Sequence, residues 1–158
     1  MKRSLCERGQ ISFHIRSKPN ISHRAQARYF TEEERITAMS ESKLRDLSVD
    51  FAVRIVKLCE DIKGHYSLVN QLERAATSIG ANVHEANYAH GKPDFIAKLQ
   101  IALKECYETE YWLEVFVKSE IIGRDTAKDL YNQCGTIRRI LISSINTTKE
   151  HINDNKQS

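Results

Sequence analysis

A chain of 158 residues with 41% hydrophobic and 28% charged content has material for one domain with a sizeable core and little more. Only 2 Pro and 6 Gly favour long uninterrupted helices over a turn-rich β fold. The formal charge of +3 is unevenly placed: residues 1–38 hold 8 Lys and Arg against 4 Asp and Glu, whereas residues 39–158 hold 16 against 17. The body is therefore near neutral, and bulk charge supplies no argument for a nucleic-acid partner. No run approaches the roughly 20 apolar residues that cross a bilayer, and no apolar segment follows Met1-Lys2-Arg3 as in a secretory signal. These features point to a cytoplasmic protein with no membrane partner.

Residues 1–38 show no sustained apolar period. Thr31-Glu32-Glu33-Glu34 has the form of a capping box before a short helix, and the acidic residues argue against a mitochondrial presequence. Two expectations stand for this segment: a disordered extension, or a stretch that is not translated, with Met39 as the physiological start. A basic arm for nucleic acid is the functional alternative. The domain is expected over residues 39–152, with a flexible tail at 153–158.

The first helix is expected from about Glu41 to Lys63, because Leu44, Leu47, Phe51, Ile55, Leu58 and Ile62 recur at steps of three and four. Ala52, Val56 and Cys59 widen that stripe, and Gly64 is the expected stop. Ser67 then caps a second helix running to about Ala89, with Leu68, Leu72, Ala75, Ile79, Asn82 and Ala86 on its inner stripe. Gly80, which costs about 1 kcal/mol against Ala in a helix, signals a close helix crossing. Gly91 and Pro93 suit the end of one helix and the first turn of the next. The third helix, Pro93 to about Glu120, carries Phe95, Leu99, Ala102, Cys106, Leu113 and Phe116, with Thr109 filling the gap. Gly123 ends the segment, Asp125 caps a fourth helix, and Leu130, Cys134, Ile137, Leu141 and Ile145 carry it to about Glu150. The resulting expectation is an all-α, antiparallel up-down-up-down four-helix bundle.

Chemistry is harder to find. Cys6, Cys59, Cys106 and Cys134 form no CxxC pair, so inert thiols in a reducing compartment are expected. A carboxylate-bridged di-metal site needs Glu-x-x-His motifs, and none occurs, so no metal or other cofactor is expected. There is no G-x-S-x-G, Walker loop or G-x-G-x-x-G, and a core-facing Cys106 is a poor nucleophile. The chain is not expected to be an enzyme.

One polar set stands out. Asn82 interrupts the inner stripe of the second helix, with Ser78 and Glu85 at steps of four and three, while Lys98 and Glu105 flank the stripe of the third. Antiparallel packing lets these meet as a network that fixes register and assembly. The alternative reading is a small-molecule or catalytic site built on Asn82, Glu85, Lys98 and Glu105. For nucleic acid, the candidate contacts are Arg45, Arg54 and Lys57 on the first helix and Arg138 and Arg139 on the fourth. Against this, Glu105, Glu108, Glu110, Glu114 and Glu120 make the second half of the third helix acidic, and arginines of a neighbouring subunit would balance Glu110 and Glu114. Tyr107, Tyr111 and Trp112 lie partly off the main stripe and read as interface or core.

The run QLERAATSIGANVHEANYA followed by DFIAKLQIALKECYETEYWLE resembles the 23S rRNA intervening-sequence protein family over about residues 44–148. Its signature positions here are Gln71, Ser78, Asn82, Glu85, Lys98, Glu105 and Glu110. The resemblance implies a four-helix bundle that assembles as a homopentamer, with no established catalysis. A related group, the accessory proteins of diversity-generating retroelements, uses a basic pentamer to bind RNA and a reverse transcriptase. The near-neutral body here departs from that group. The partners implied are other copies of the chain, and RNA or a nucleic-acid-processing protein.

Overall fold

Four helices account for the core. The computed structural model describes the backbone over residues 32–157 and side chains over 42–154. Helix α1 spans Glu32–Asp61, α2 Tyr66–Ala86, α3 Lys92–Lys118 and α4 Arg124–Gln157, with no strand among the described residues. Each helix packs on its sequence neighbours, and α4 returns to α1, so the four enclose one apolar interior. Phe51 and Ile55 of α1, Leu72 and Ile79 of α2, Leu99 and Phe116 of α3, and Ile137 and Leu141 of α4 are fully buried there. Burying such side chains stabilises by about 1.5–3 kcal/mol each.

The inner face of α3 follows the expected stripe from Leu99 through Thr109 to Phe116. Thr109 is buried because its hydroxyl donates to the carbonyl of Glu105 at 2.8 Å, so no polar group is left without a partner. Helix α2 is turned slightly from the expected stripe. Leu72, Ala75, Ile79 and Ala86 are buried as expected, Val69, Ala76 and Val83 join them, and Leu68 and Asn82 stand half-buried at the edge. Two overlapping stripes were available on this helix, and the one carrying two valines in place of Leu68 and Asn82 buries less polar surface.

Several helix ends depart from expectation, among them that of α2, which stops at Ala86 rather than about Ala89. Helix α1 starts at Glu32, directly after Thr31, and continues into the amphipathic stretch, so residues 32–38 are helical; the expectations for residues 1–31 lie outside the described residues. Helix α2 starts at Tyr66, not after Ser67, with Gly64 and His65 both left-handed at φ 79° and 54°. Helix α3 ends in a Schellman turn: Ile121 N–H donates to the Phe116 carbonyl at 2.9 Å and Glu120 N–H to Val117 at 3.1 Å. Glu120 takes the left-handed position, φ 58°, that glycine usually fills. Helix α4 runs past Glu150 to Gln157, and half-buried Ile152 packs against the core. The flexible tail expected at 153–158 is helical as far as residue 157. Between α2 and α3, Pro93 sits in the first turn as expected, but Asn87 caps the end of α2 and Gly91 instead precedes α3 as its N-cap; the Asp94 carboxylate accepts from His90 N–H at 3.0 Å.

Candidate functional site

The polar side chains do not converge on one site. They separate along the two flanks of α3. On the α2 side, Lys98 Nζ donates to Glu85 Oε2 at 2.5 Å in a largely exposed pair. Asn82 turns back on its own helix, its Nδ2 donating to the Ser78 carbonyl at 2.9 Å. Among the described residues no hydrogen bond joins this contact to the Glu85–Lys98 pair, or either of them to Glu105. Glu105 is half-buried, and burial with the nearby Glu108 raises its pKa, against the pull of Arg74. Within one protomer the expected network of Ser78, Asn82, Glu85, Lys98, Glu105 and Glu110 is thus divided: Glu85 pairs with Lys98, Asn82 bonds only the Ser78 carbonyl, Glu105 stands apart, and Glu110 lies on the other flank. Side chains of these types on adjacent helices meet only when rotation and register both match, and the turn of α2 moves Asn82 away.

On the α4 side the contacts are tighter. Arg138 Nε donates to Glu110 Oε1 at 3.1 Å, with the carboxylate side chain 17% exposed and the guanidinium 31%. The guanidinium carbon of Arg138 also lies 5.5 Å from the Tyr107 ring centre, within cation–π range. The Tyr131 hydroxyl donates to the Glu110 backbone carbonyl at 2.7 Å. Glu110, held against Arg138, pushes the guanidinium pKa further up, so this cation is permanent. Arg138 is thus occupied within its own chain, and it supplies the balancing arginine that a neighbouring subunit was expected to provide. Tyr131 was missed from sequence, since a tyrosine off the inner stripe reads as a surface residue until its hydroxyl partner is known.

The other candidate cations remain on the surface. Arg54 Nη1 donates to Gln133 Oε1 of α4 at 2.6 Å, Arg45 pairs weakly with Asp46 at 3.3 Å, and Arg139 donates to the Thr136 hydroxyl at 3.0 Å. Lys57 is exposed. Arg45, Arg54 and Lys57 stand on α1 and Arg139 on α4, the helix that Arg54 reaches through Gln133.

The thiols are placed for packing. Cys59, Cys106 and Cys134 are buried and free, and Cys6 lies outside the described residues. Burial, with Glu73 nearby, pushes Cys59 up to about 11, and the adjacent Cys134 and burial raise Cys106 strongly. A thiol held protonated is a poor nucleophile and a poor metal ligand. Among the described residues no group of three or more His, Cys, Asp or Glu stands close enough to hold a metal ion, and no helix is long and apolar enough to cross a membrane. Asn82, Glu85, Lys98 and Glu105 line none of four surface clefts, at the α1–α2 and α3–α4 turns, along the middle of α1 and in the α1–α2 groove.

With this geometry in place, the model of the 23S rRNA-intervening sequence proteins matches residues 40–143, which is most of the bundle. The chain belongs to that family. It is also similar to a protein of unknown function from the S23 ribosomal protein family of Bacteroides thetaiotaomicron, whose crystal structure superposes with a TM-score of 0.65. The two are 42% identical over 68% of this chain and 98% of the other. No curated protein matches the chain. The match begins at residue 40, one residue after Met39, and the helical residues 32–39 precede it.

Proposed function

We propose that this family member is a non-enzymatic helical scaffold that assembles with copies of itself. The protomer is read as an up-down-up-down antiparallel bundle, domain 39–152, and the assembly as a homopentamer. Antiparallel order is supported by the residue pairs that meet across helices. Gly80 faces Ser48, the Cys59 thiol reaches the Val69 carbonyl, and Cys134 reaches the Cys106 carbonyl. Between α1 and α2 one number rises as the other falls, and Tyr131 on the Glu110 carbonyl with Cys134 on that of Cys106 gives the same order between α3 and α4.

The observation that carries the reading is a contrast between interior and surface. Among the described residues Glu85 closes on Lys98 and Glu110 on Arg138, and burial holds the Cys59 and Cys106 thiols protonated. The outer faces of α1 and α3, meanwhile, expose Val49, Val53, Ile101, Tyr107 and Tyr111. Apolar side chains gathered on outer walls favour a protein partner, of which a second copy is the first. Native mass spectrometry of the full chain at low salt tests this: an oligomer is expected, and a monomer at micromolar concentration overturns the scaffold.

A second reading, RNA binding, rests on the exposed cations Arg45, Arg54, Lys57 and Arg139, with Arg138 excluded because it is held by Glu110. Repetition around a ring multiplies a weak patch through avidity. Replacing Arg54 and Arg139 by Glu is then expected to lower RNA affinity and flatten its salt dependence in a filter-binding titration.

A further inference from the structure

Helix α1 has a second apolar stripe that the bundle does not use. Val49 is 52% and Val53 46% exposed, and with Ala52, Val56, Gly80 and Ala81 they line an open groove between α1 and α2. Gly80 lies where α1 and α2 approach closely, since a Cβ there would meet Ser48 of α1 at 3.6 Å, ordinary van der Waals contact. One turn further along α1, the apolar character gives way to Lys57 and Glu60, which also edge the groove.

Helix α3 presents the matching pattern in reverse. Along its outer face, from the C-terminal end, stand half-buried Val115, then Tyr111 at 58% exposure, then Glu108 and Lys104. Tyr111 packs edge-on against Trp112, with ring centres 5.0 Å apart, and the Trp112 indole N–H donates to Glu108 at 3.3 Å, which steadies this face. Lys57, Glu60 and Lys104 form no ion pair among the described residues.

We infer that α3 of one copy seats antiparallel in the α1–α2 groove of the next, with Val115 opposite Val49, Tyr111 opposite Val53, Glu108 opposite Lys57 and Lys104 opposite Glu60. The inference rests on the self-assembly proposed above and names its surfaces. Both runs cover about three helical turns, so each set of four lies along one face. In this register two apolar contacts are followed by two opposite-charge contacts. Parallel docking would set Lys104 and Glu108 against Val49 and Val53. A two-fold pairing of α1 with itself about Val53 would set Lys57 against Val49. Both leave charges on apolar surface without a partner, which costs more than either gains. The interface is heterologous, since each copy offers a groove on one wall and a different helix on another, and such contacts propagate until a ring closes.

Light scattering on full-length variants tests the arrangement. Val53→Glu removes the groove and keeps the α3 face; Tyr111→Glu does the reverse. Both positions are on the surface, so helix content by circular dichroism is expected to stay at the wild-type level. Each variant alone is expected to be monomeric, with the association constant lowered at least about tenfold. An equimolar mixture is expected to give a one-to-one dimer, because one intact groove and one intact α3 face remain to meet. Lys57→Glu and Glu108→Lys should each weaken assembly, and their combination in one chain should restore it. A mixture that stays monomeric, or either single variant keeping the wild-type mass, overturns the proposed surfaces while leaving self-assembly intact. A monomeric wild-type protein overturns both.

Discussion

Helix α3 has two flanks, and each carries one carboxylate–cation bond to a neighbouring helix. Glu85–Lys98 joins it to α2 and Glu110–Arg138 joins it to α4. The first is a contact between a flexible ammonium and an exposed carboxylate, free to exchange with water. The second has a 17% exposed carboxylate, a guanidinium near an aromatic ring and a tyrosine anchored to the same residue's backbone. Similar charge chemistry thus has different consequences, because water competes on one flank and protein surrounds the other. The turns differ in the opposite sense. The α2–α3 turn uses Gly91 and Pro93 where they fit, whereas the α3–α4 turn places Glu120 in a left-handed conformation.

The largest effect is expected where the comparison is sharpest. Replacing Glu110 by Ala should destabilise the bundle by about 2 kcal/mol in urea unfolding, because the half-buried Arg138 loses its acceptor. A double-mutant cycle with Arg138→Ala should recover a coupling energy well above that of the matching cycle on Glu85 and Lys98. Equal couplings would erase the distinction between the flanks. Next in size, Glu120→Gly should stabilise by about 1 kcal/mol by relieving the left-handed strain at the end of α3, and an unchanged urea midpoint would refute that strain.

A smaller effect concerns Glu105, on the wetter flank. Its folded pKa is raised, so the folded protein binds that proton more tightly than the unfolded chain. Its contribution is fully favourable below the unfolded carboxylate pKa and is lost as pH rises through the folded value. Glu105→Gln should therefore raise the melting temperature slightly at pH 7 and remove that portion of the pH dependence; a melting temperature that falls at pH 7 would contradict the sign. The smallest effect is at Lys98, where replacement by Ala should leave the melting temperature unchanged within error, as is usual for exposed pairs.

Much of the architecture was legible in the amino-acid order. The inner face of α3 from Leu99 to Phe116, the Gly91–Pro93 turn and the cores of α1 and α4 follow from periodicity and turn chemistry, which are local properties of the backbone. The family is equally legible in the run from Gln71 to Glu114, which lies within the matched region. What periodicity could not choose was which of two neighbouring stripes on α2 turns inward. That choice, made by the combined packing of all four helices, carried Asn82 to the edge of the core.

The pairing of charges belongs to the same class of decision. Sequence identified Glu110 as needing a cation and Arg138 as a surface cation, yet only the register between α3 and α4 brought the two together. Likewise, the ends of α1 and α4 extend beyond their apolar stripes, and Glu120 occupies a position where sequence gives no warning of positive φ. Local order determined the number of helices, most of the faces they bury and the family. Tertiary structure decided the partners, because a contact between helices depends on rotation and axial shift, and neither is a property of any one segment.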